Sequence, residues 1–176
     1  MSKLRVYLFV ICVLLAGTNS LQAQRTIEAT RQFLVSGVVE TPKTITVGDI
    51  LAHDQVAMGD VVVKNHRGEE KKVAKNVKGV LLKDILNEFK LKIGKPKEVS
   101  ELVVVLTATD GYKNIYSWNE LTNNPLGDHV YVITEQDGKD IEHMESAIIV
   151  VSTTDINAGS RYFKGLKSIE IRKVDQ

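Results

Sequence analysis

Three stretches of this sequence carry side chains that could do chemistry. Asp110-Gly111-Tyr112 sets a carboxylate beside a phenol, with Tyr116 and the lone Trp118 just downstream. Asp140 to Glu145 collects carboxylates, the His143 imidazole and the Met144 thioether within a few residues, with His129 upstream. Mixed nitrogen, oxygen and sulfur donors suit copper or zinc, so a periplasmic copper- or zinc-binding protein is one reading of the chain. Lys71, Lys72, Lys75 and Lys78 form a local basic face. Each stretch also has a plainer reading. Asp-Gly between β-rich runs marks a hairpin turn whose two central residues take positive φ. The 140–145 segment falls between the Asp137-Gly138 turn and the apolar 147–151 run, where a polar connection is expected. The lysines alternate with Val73 and Val77 as on an edge strand, where charge prevents sheet-to-sheet aggregation. Glycine loops for phosphate or dinucleotides, His-Glu-x-x-His and Gly-x-Ser-x-Gly are all absent, so no common enzyme chemistry is signalled.

The first residues indicate the compartment. Lys3 and Arg5 precede the apolar run Val6 to Ala16, and Leu21-Gln22-Ala23 places a small residue before Gln24. This order is that of a secretory signal peptide over residues 1–23, and the run is too short for a permanent membrane anchor. An exported protein, periplasmic or secreted, is expected to begin near Gln24 as a single domain over 24–176. Its charge changes from 23 basic against 22 acidic residues to 21 against 22, because the leader holds two basic residues and no acidic one. Near-zero net charge gives no reason to expect nucleic acid or an anionic membrane as partner. The only cysteine, Cys12, leaves with the leader. The exported chain then has no disulfide and no thiolate, and about 150 residues must be stabilised by a core.

The elements that position these residues follow from periodicity and turn chemistry. Strands are expected over Phe33 to Val39, Val61 to Asn65, Glu70 to Val77, Leu102 to Thr109, Tyr112 to Tyr116, Val130 to Thr134, Ala147 to Thr153 and Ser168 to Arg172. Leu81, Leu82, Ile85, Leu86 and Phe89 recur at helical spacing, which predicts an amphipathic helix over 80–91. Thr46 can cap a short helix with Asp49 in its first turn, and Ser117-Trp118-Asn119-Glu120 has capping-box spacing. Strands outnumber helices and hairpins join several of them, so the fold class is α+β with mixed, mostly antiparallel β-sheets and a few short helices.

Four signposts occur together in order. They are Phe33-x-Val35-x-Gly37-x-Val39-x-x-Pro42, then Lys78-Gly79-Val80-Leu81-Leu82-Lys83-Asp84-Ile85-Leu86, then Ala108-x-Asp110-Gly111-Tyr112, and last Gly159-x-Arg161-x-x-Lys164-Gly165-Leu166-x-x-Ile169-x-Ile171. With them the chain, from about Phe33 to Val174, resembles the molybdopterin-binding domain of the sulfite-oxidase-like oxidoreductases in a compact exported form. The resemblance implies a molybdenum-ligating cysteine at the end of the strand before the Gly-Val-Leu-Leu segment. That region reads Val63-Lys64-Asn65-His66-Arg67, with no cysteine. A soft thiolate is not replaced by Lys or Asn without changing the metal held.

The resemblance also implies basic side chains on the pterin's pyrophosphate, and Arg161 and Lys164 fall on that pattern. Asn65 and His66 then stand where the thiolate is missing, and Tyr112 belongs to a framework signature that can wall a pocket. These five are the candidate cofactor-binding residues; no catalytic residue and no metal ligand is assigned. The expected function is an exported molybdopterin-binding-like domain without molybdenum catalysis, holding a small ligand or an exported partner protein and needing no cofactor. The alternative is a molybdopterin-dependent oxidoreductase that binds its cofactor without a sulfur ligand.

Overall fold

The computed structural model describes residues 26–174, so the expected leader, its cleavage point and Cys12 lie outside the described residues. Two five-stranded sheets share the chain. The first is built from β1 (Gln32–Gly37), β2 (Lys43–Thr46), β5 (Leu102–Ala108), β6 (Lys113–Ser117) and β10 (Leu166–Lys173), in the order β2-β1-β10-β5-β6. The second holds β3 (Val56–Lys64), β4 (Glu70–Leu81), β7 (Val130–Gln136) and β8 (Lys139–Asp140) in that order, with β9 (Val150–Ser152) also paired to β7. Among the described residues only the β1–β10 ladder is parallel. The α+β class with mixed, mostly antiparallel sheets is therefore as expected from the sequence. Among the described residues no helix is long and apolar enough to cross a membrane.

Alternation along each strand decides which face is buried. Phe33 and Val35 of β1, Val104 and Leu106 of β5, and Ile169 and Ile171 of β10 point into the core, while Leu34 and Glu170 between them do not. β7 departs from alternation, with Val130 to Thr134 all buried, because α1 (Val47–Leu51) and α2 (Leu82–Asn87) pack against a strand already flanked by β4 and β9. Leu82, Ile85 and Leu86 of α2 are fully buried, and each contributes about 1.5–3 kcal/mol by leaving water.

The amphipathic helix is shorter than the 80–91 expected. Gly79 to Leu81 instead continue β4 and pair with Tyr131 to Ile133 of β7. Pairing with that buried strand satisfies their backbone and buries Val80, which outweighs the weak helix propensity of glycine and valine. The edge-strand reading of the lysines holds for part of β4. Over Glu70 to Ala74 the strand pairs with β3 alone, and β7 joins its other side from Lys78, while Lys72, Lys75 and Lys78 reach Asp137, Asp60 and Glu135 at 2.8, 2.6 and 2.7 Å. The lysines form cross-strand ion pairs on a solvated face.

The two Asp-Gly turns differ. At Asp137-Gly138 both residues take positive φ, 54° and 74°, closing the two-residue hairpin expected between β7 and β8. At Asp110-Gly111 only glycine does, with φ 83°, and the loop has three residues. Gly111 N–H donates to the Ala108 carbonyl at 3.0 Å and Ala108 N–H to Tyr112 at 2.9 Å, the pattern of a turn followed by a left-handed glycine. The Asp110 carboxylate accepts from Tyr112 N–H at 2.9 Å, so it shapes this turn.

The capping box expected at Ser117 is present, and the cap expected at Thr46 is also a full capping box. Ser117 Oγ accepts from Glu120 N–H at 3.0 Å, and Glu120 accepts from Ser117 N–H at 3.2 Å, starting α3 (Trp118–Thr122). At α1 the Thr46 hydroxyl and backbone N–H donate to Asp49 at 2.6 and 2.8 Å, and these bonds pull its carboxyl from 3.8 down to about 2. A depressed carboxyl pKa stabilises the fold above the unfolded value and ceases to do so as pH falls through the folded one. Asp49→Asn should therefore lower stability at neutral pH by about 0.5–1 kcal/mol. That difference should close between about pH 4 and pH 2 in denaturant titrations, and a gap that persists at about pH 2 would count against this origin.

The segment before β1 ties the two sheets together. Thr30 Oγ donates to the Leu166 carbonyl at 2.8 Å and accepts from the buried Ile148 N–H at 2.9 Å. Thr30 N–H also donates to the Ala147 carbonyl. Thr30→Val keeps the shape but strands the Ile148 donor, which should cost about 1–3 kcal/mol in a urea melt, while Thr30→Ser should recover most of it. Equal stability of the Val variant and the parent would refute the tether.

Candidate functional site

The end of β3 and the start of β4 are joined by a turn that Asn65 organises. Its Oδ1 accepts from Arg67 N–H at 2.9 Å and Glu69 N–H at 3.0 Å, and its Nδ2 donates to Glu69 Oε2 at 2.8 Å. Its backbone N–H reaches the Glu69 carbonyl at 2.9 Å. All the polar groups of this side chain are thus engaged in shaping the turn. Against the turn lies the connection from β9 to β10, which crosses from the second sheet to the first through a 3₁₀ turn at Ala158–Ser160. A Cβ on Gly159 would stand 2.3 Å from the Lys64 carbonyl oxygen, so only a glycine lets the two backbones meet.

This meeting leaves a cleft of about 510 Å³. Its walls carry Lys64, Asn65 and His66 from the first turn, Lys71 and Lys72 from β4, and Tyr162 and Lys164 from the crossing segment. Tyr162 forms an apolar wall. Its hydroxyl donates to Gln136 Oε1 at 2.5 Å, and burial raises its phenol pKa, so it remains a neutral donor. Lys72 and Lys164 lie 6.0 and 5.8 Å from its ring centroid. Attraction between ammonium groups and the ring face helps hold both side chains at the cleft.

Three of the five residues singled out in the sequence, Asn65, His66 and Lys164, thus line one cavity. Tyr112 and Arg161 do not line it. Tyr112, 51% exposed, donates its hydroxyl to the Ser160 carbonyl at 3.1 Å, and Asn114 Nδ2 donates to the same oxygen at 3.1 Å. Its ring leans on Phe163 with centroids 5.8 Å apart. Arg161 lies beneath the crossing segment, with Nη1 3.1 Å from Glu120 Oε1, Nε 3.5 Å from Asp155 Oδ2, and its guanidinium 4.4 Å over the Tyr116 ring. Its charge is divided between two carboxylates. Both residues fix the loop that carries Ser160, Tyr162 and Lys164.

Lys71, Lys72 and Tyr162 were not singled out as cleft residues in the sequence. Their signal was Tyr162-x-Lys164, a spacing that puts both side chains on one side of an extended segment. The 140–145 cluster is the polar connection expected on the plainer reading. His143 Nδ1 lies 2.7 Å from Asp140 Oδ1 within one turn, and Met144 is buried in the core. His129 lines a separate cavity of about 530 Å³ beside Met58 and Ile156. Among the described residues no three His, Asp or Glu side chains gather as metal ligands.

No family model and no curated protein matches the chain. Among solved structures, the sulfane dehydrogenase SoxCD from Paracoccus pantotrophus is similar over 83% of this chain and 40% of that one, with a TM-score of 0.56 at 14% identity. The fold is sulfite-oxidase-like. The likeness is one of fold, and the chain spans less than half the length of that relative. Within the sulfite-oxidase-like fold, the lysine-lined cleft stands at the end of β3, where the sequence resemblance placed a thiolate.

Gly159→Ala tests the joint that forms the cleft. The added methyl must displace backbone, since its nearest neighbour is a carbonyl oxygen of β3. A loss of about 1–3 kcal/mol in thermal or denaturant unfolding is expected, with increased amide exchange at Lys64 to His66 and Ser160 to Lys164. Unchanged exchange in both segments would show that the contact does not hold them together.

Proposed function

We propose that the chain is an exported binding module of the sulfite-oxidase-like fold that recognises an anionic group in its lysine-lined cleft without molybdenum catalysis. The observation that carries this reading is the convergence of Lys64, Lys71, Lys72 and Lys164 on one cavity with His66 and the Tyr162 ring. Protonated ammonium groups present three N–H donors each and no lone pair. They attract oxyanions and carboxylates and repel metal cations.

The donor set does not fit a molybdenum centre. No sulfur lines the cleft, the Asn65 amide is engaged in its turn, and His66 is the single imidazole present. The cationic walls do fit the pyrophosphate of a molybdopterin, and this favours the second reading, a molybdopterin-dependent oxidoreductase. If the pterin bound here, Lys64 and Lys164 would neutralise its phosphates and Tyr162 would offer an apolar wall. The group would supply oxygen-atom and electron transfer, for which the cleft itself offers no ligand.

Two measurements decide between the readings. Elemental analysis and released-pterin fluorescence on protein purified from its native compartment should find neither molybdenum nor pterin; stoichiometric molybdenum would establish the oxidoreductase. Calorimetric titration with inorganic pyrophosphate should show binding that Lys164→Gln weakens by about tenfold, which is about 1.4 kcal/mol. The absence of binding heat from both pyrophosphate and sulfate would remove anion recognition from the cleft.

A further inference from the structure

The cleft does not end at Lys164. A smaller hollow of about 240 Å³ continues from it, and the two have Lys72 and Lys164 as common walls. The far side of this hollow adds Lys139, Glu145 and Asp137. Along the joined groove, the five ammonium groups of Lys64, Lys71, Lys72, Lys164 and Lys139 face the two carboxylates of Asp137 and Glu145. Glu69 also lies 3.6 Å from Lys71, so a surplus of two remains on a chain whose whole formal charge is +1. Asp137 is bound to Lys72 at 2.8 Å, while Glu145 approaches Lys139 at 3.3 Å with its side chain 88% exposed, a pair that solvent screens. Lys164 lines both hollows, and neither it nor Lys64 has a carboxylate partner among the described residues.

The shape of the groove bears on its occupant. The cations are spread over two adjoining hollows instead of converging on one point. Cations distributed along a groove match carboxylates repeated along an extended chain. Resting on the anion recognition proposed above, we infer that the joined groove docks an extended acidic segment of another exported protein, with carboxylates meeting Lys64, Lys164 and Lys139.

The test uses the whole exported chain and a fluorescein-labelled peptide of alternating Glu and Ala about eight residues long, roughly 26 Å when extended. Anisotropy should show binding of this peptide and none of its Gln-Ala twin, weakened more than about tenfold between about 50 mM and 500 mM salt. Lys139 belongs to the far hollow alone and is half-exposed, so Lys139→Gln should leave the melting curve and pyrophosphate affinity unchanged. It should weaken the Glu-Ala peptide by about threefold or more. Lys164→Gln should weaken both ligands. Peptide binding that is indifferent to Lys139→Gln, or no tighter than pyrophosphate, would overturn the acidic-segment occupant and leave anion recognition standing. Failure of both ligands to bind would overturn both.

Discussion

The structure turns on one close approach, the backbone of Gly159 against the carbonyl of Lys64. The chain must pass from β9 in the second sheet to β10 in the first, and the crossing lies over the end of β3. A side chain at position 159 would hold the two segments apart, because carbonyl oxygen and backbone cannot yield as a flexible side chain would. Once they touch, Lys64 and His66 on one side and Tyr162 and Lys164 on the other share a cleft, although nearly a hundred residues of chain lie between them. The site is therefore a product of topology, and its residues are positioned by loops anchored to sheets.

The anchoring is electrostatic on one side and apolar on the other. Arg161 joins Glu120 to Asp155, Asp155 accepts from Ser152 Oγ at 2.8 Å, and Glu120 at the same time caps α3. These partners come from β9, the crossing loop and the α3 cap, so one guanidinium reads the relative position of three parts of the chain. The fork of an arginine suits this better than a lysine would, because it can address two carboxylates in fixed directions while stacking on Tyr116. On the other side Phe163 is buried and Tyr112 rests on it, holding Ser160 by its carbonyl. Arg161 and Tyr112 matter to the cleft as supports for its wall.

What could be read from the sequence follows the range of the interactions involved. Both helix caps and the Asp137-Gly138 turn were legible because each is settled within a few residues. The α2 region was misread at its start, where Gly79 to Leu81 prefer a long-range partner, β7, to local helix spacing. The lysines of β4 show the same limit: alternation identifies a strand face but does not say that β7 joins the strand only from Lys78 onward. At the site, Asn65, His66 and Lys164 were named separately, and nothing local told that they meet. The family resemblance implies a ligand role for Arg161, whereas Glu120 and Asp155, distant in sequence, engage its charge.

The end of β3 carries positive charge where the sequence resemblance implies sulfur. A thiolate contributes a negative, polarisable donor that attracts a metal cation. Lys64 contributes a positive group with no free electron pair, and Lys71, Lys72 and Lys164 stand at the same cleft. Such a site inverts the electrostatic preference of a metal centre: cations are repelled from it and anions gain from every ammonium group they meet. Lys72 is partly neutralised by Asp137 and Lys71 by Glu69, which leaves Lys64 and Lys164 without a carboxylate partner among the described residues. The turn beside Lys64 is held by Asn65, which satisfies its backbone, so the direction in which β3 delivers Lys64 to the cleft is set by hydrogen bonds.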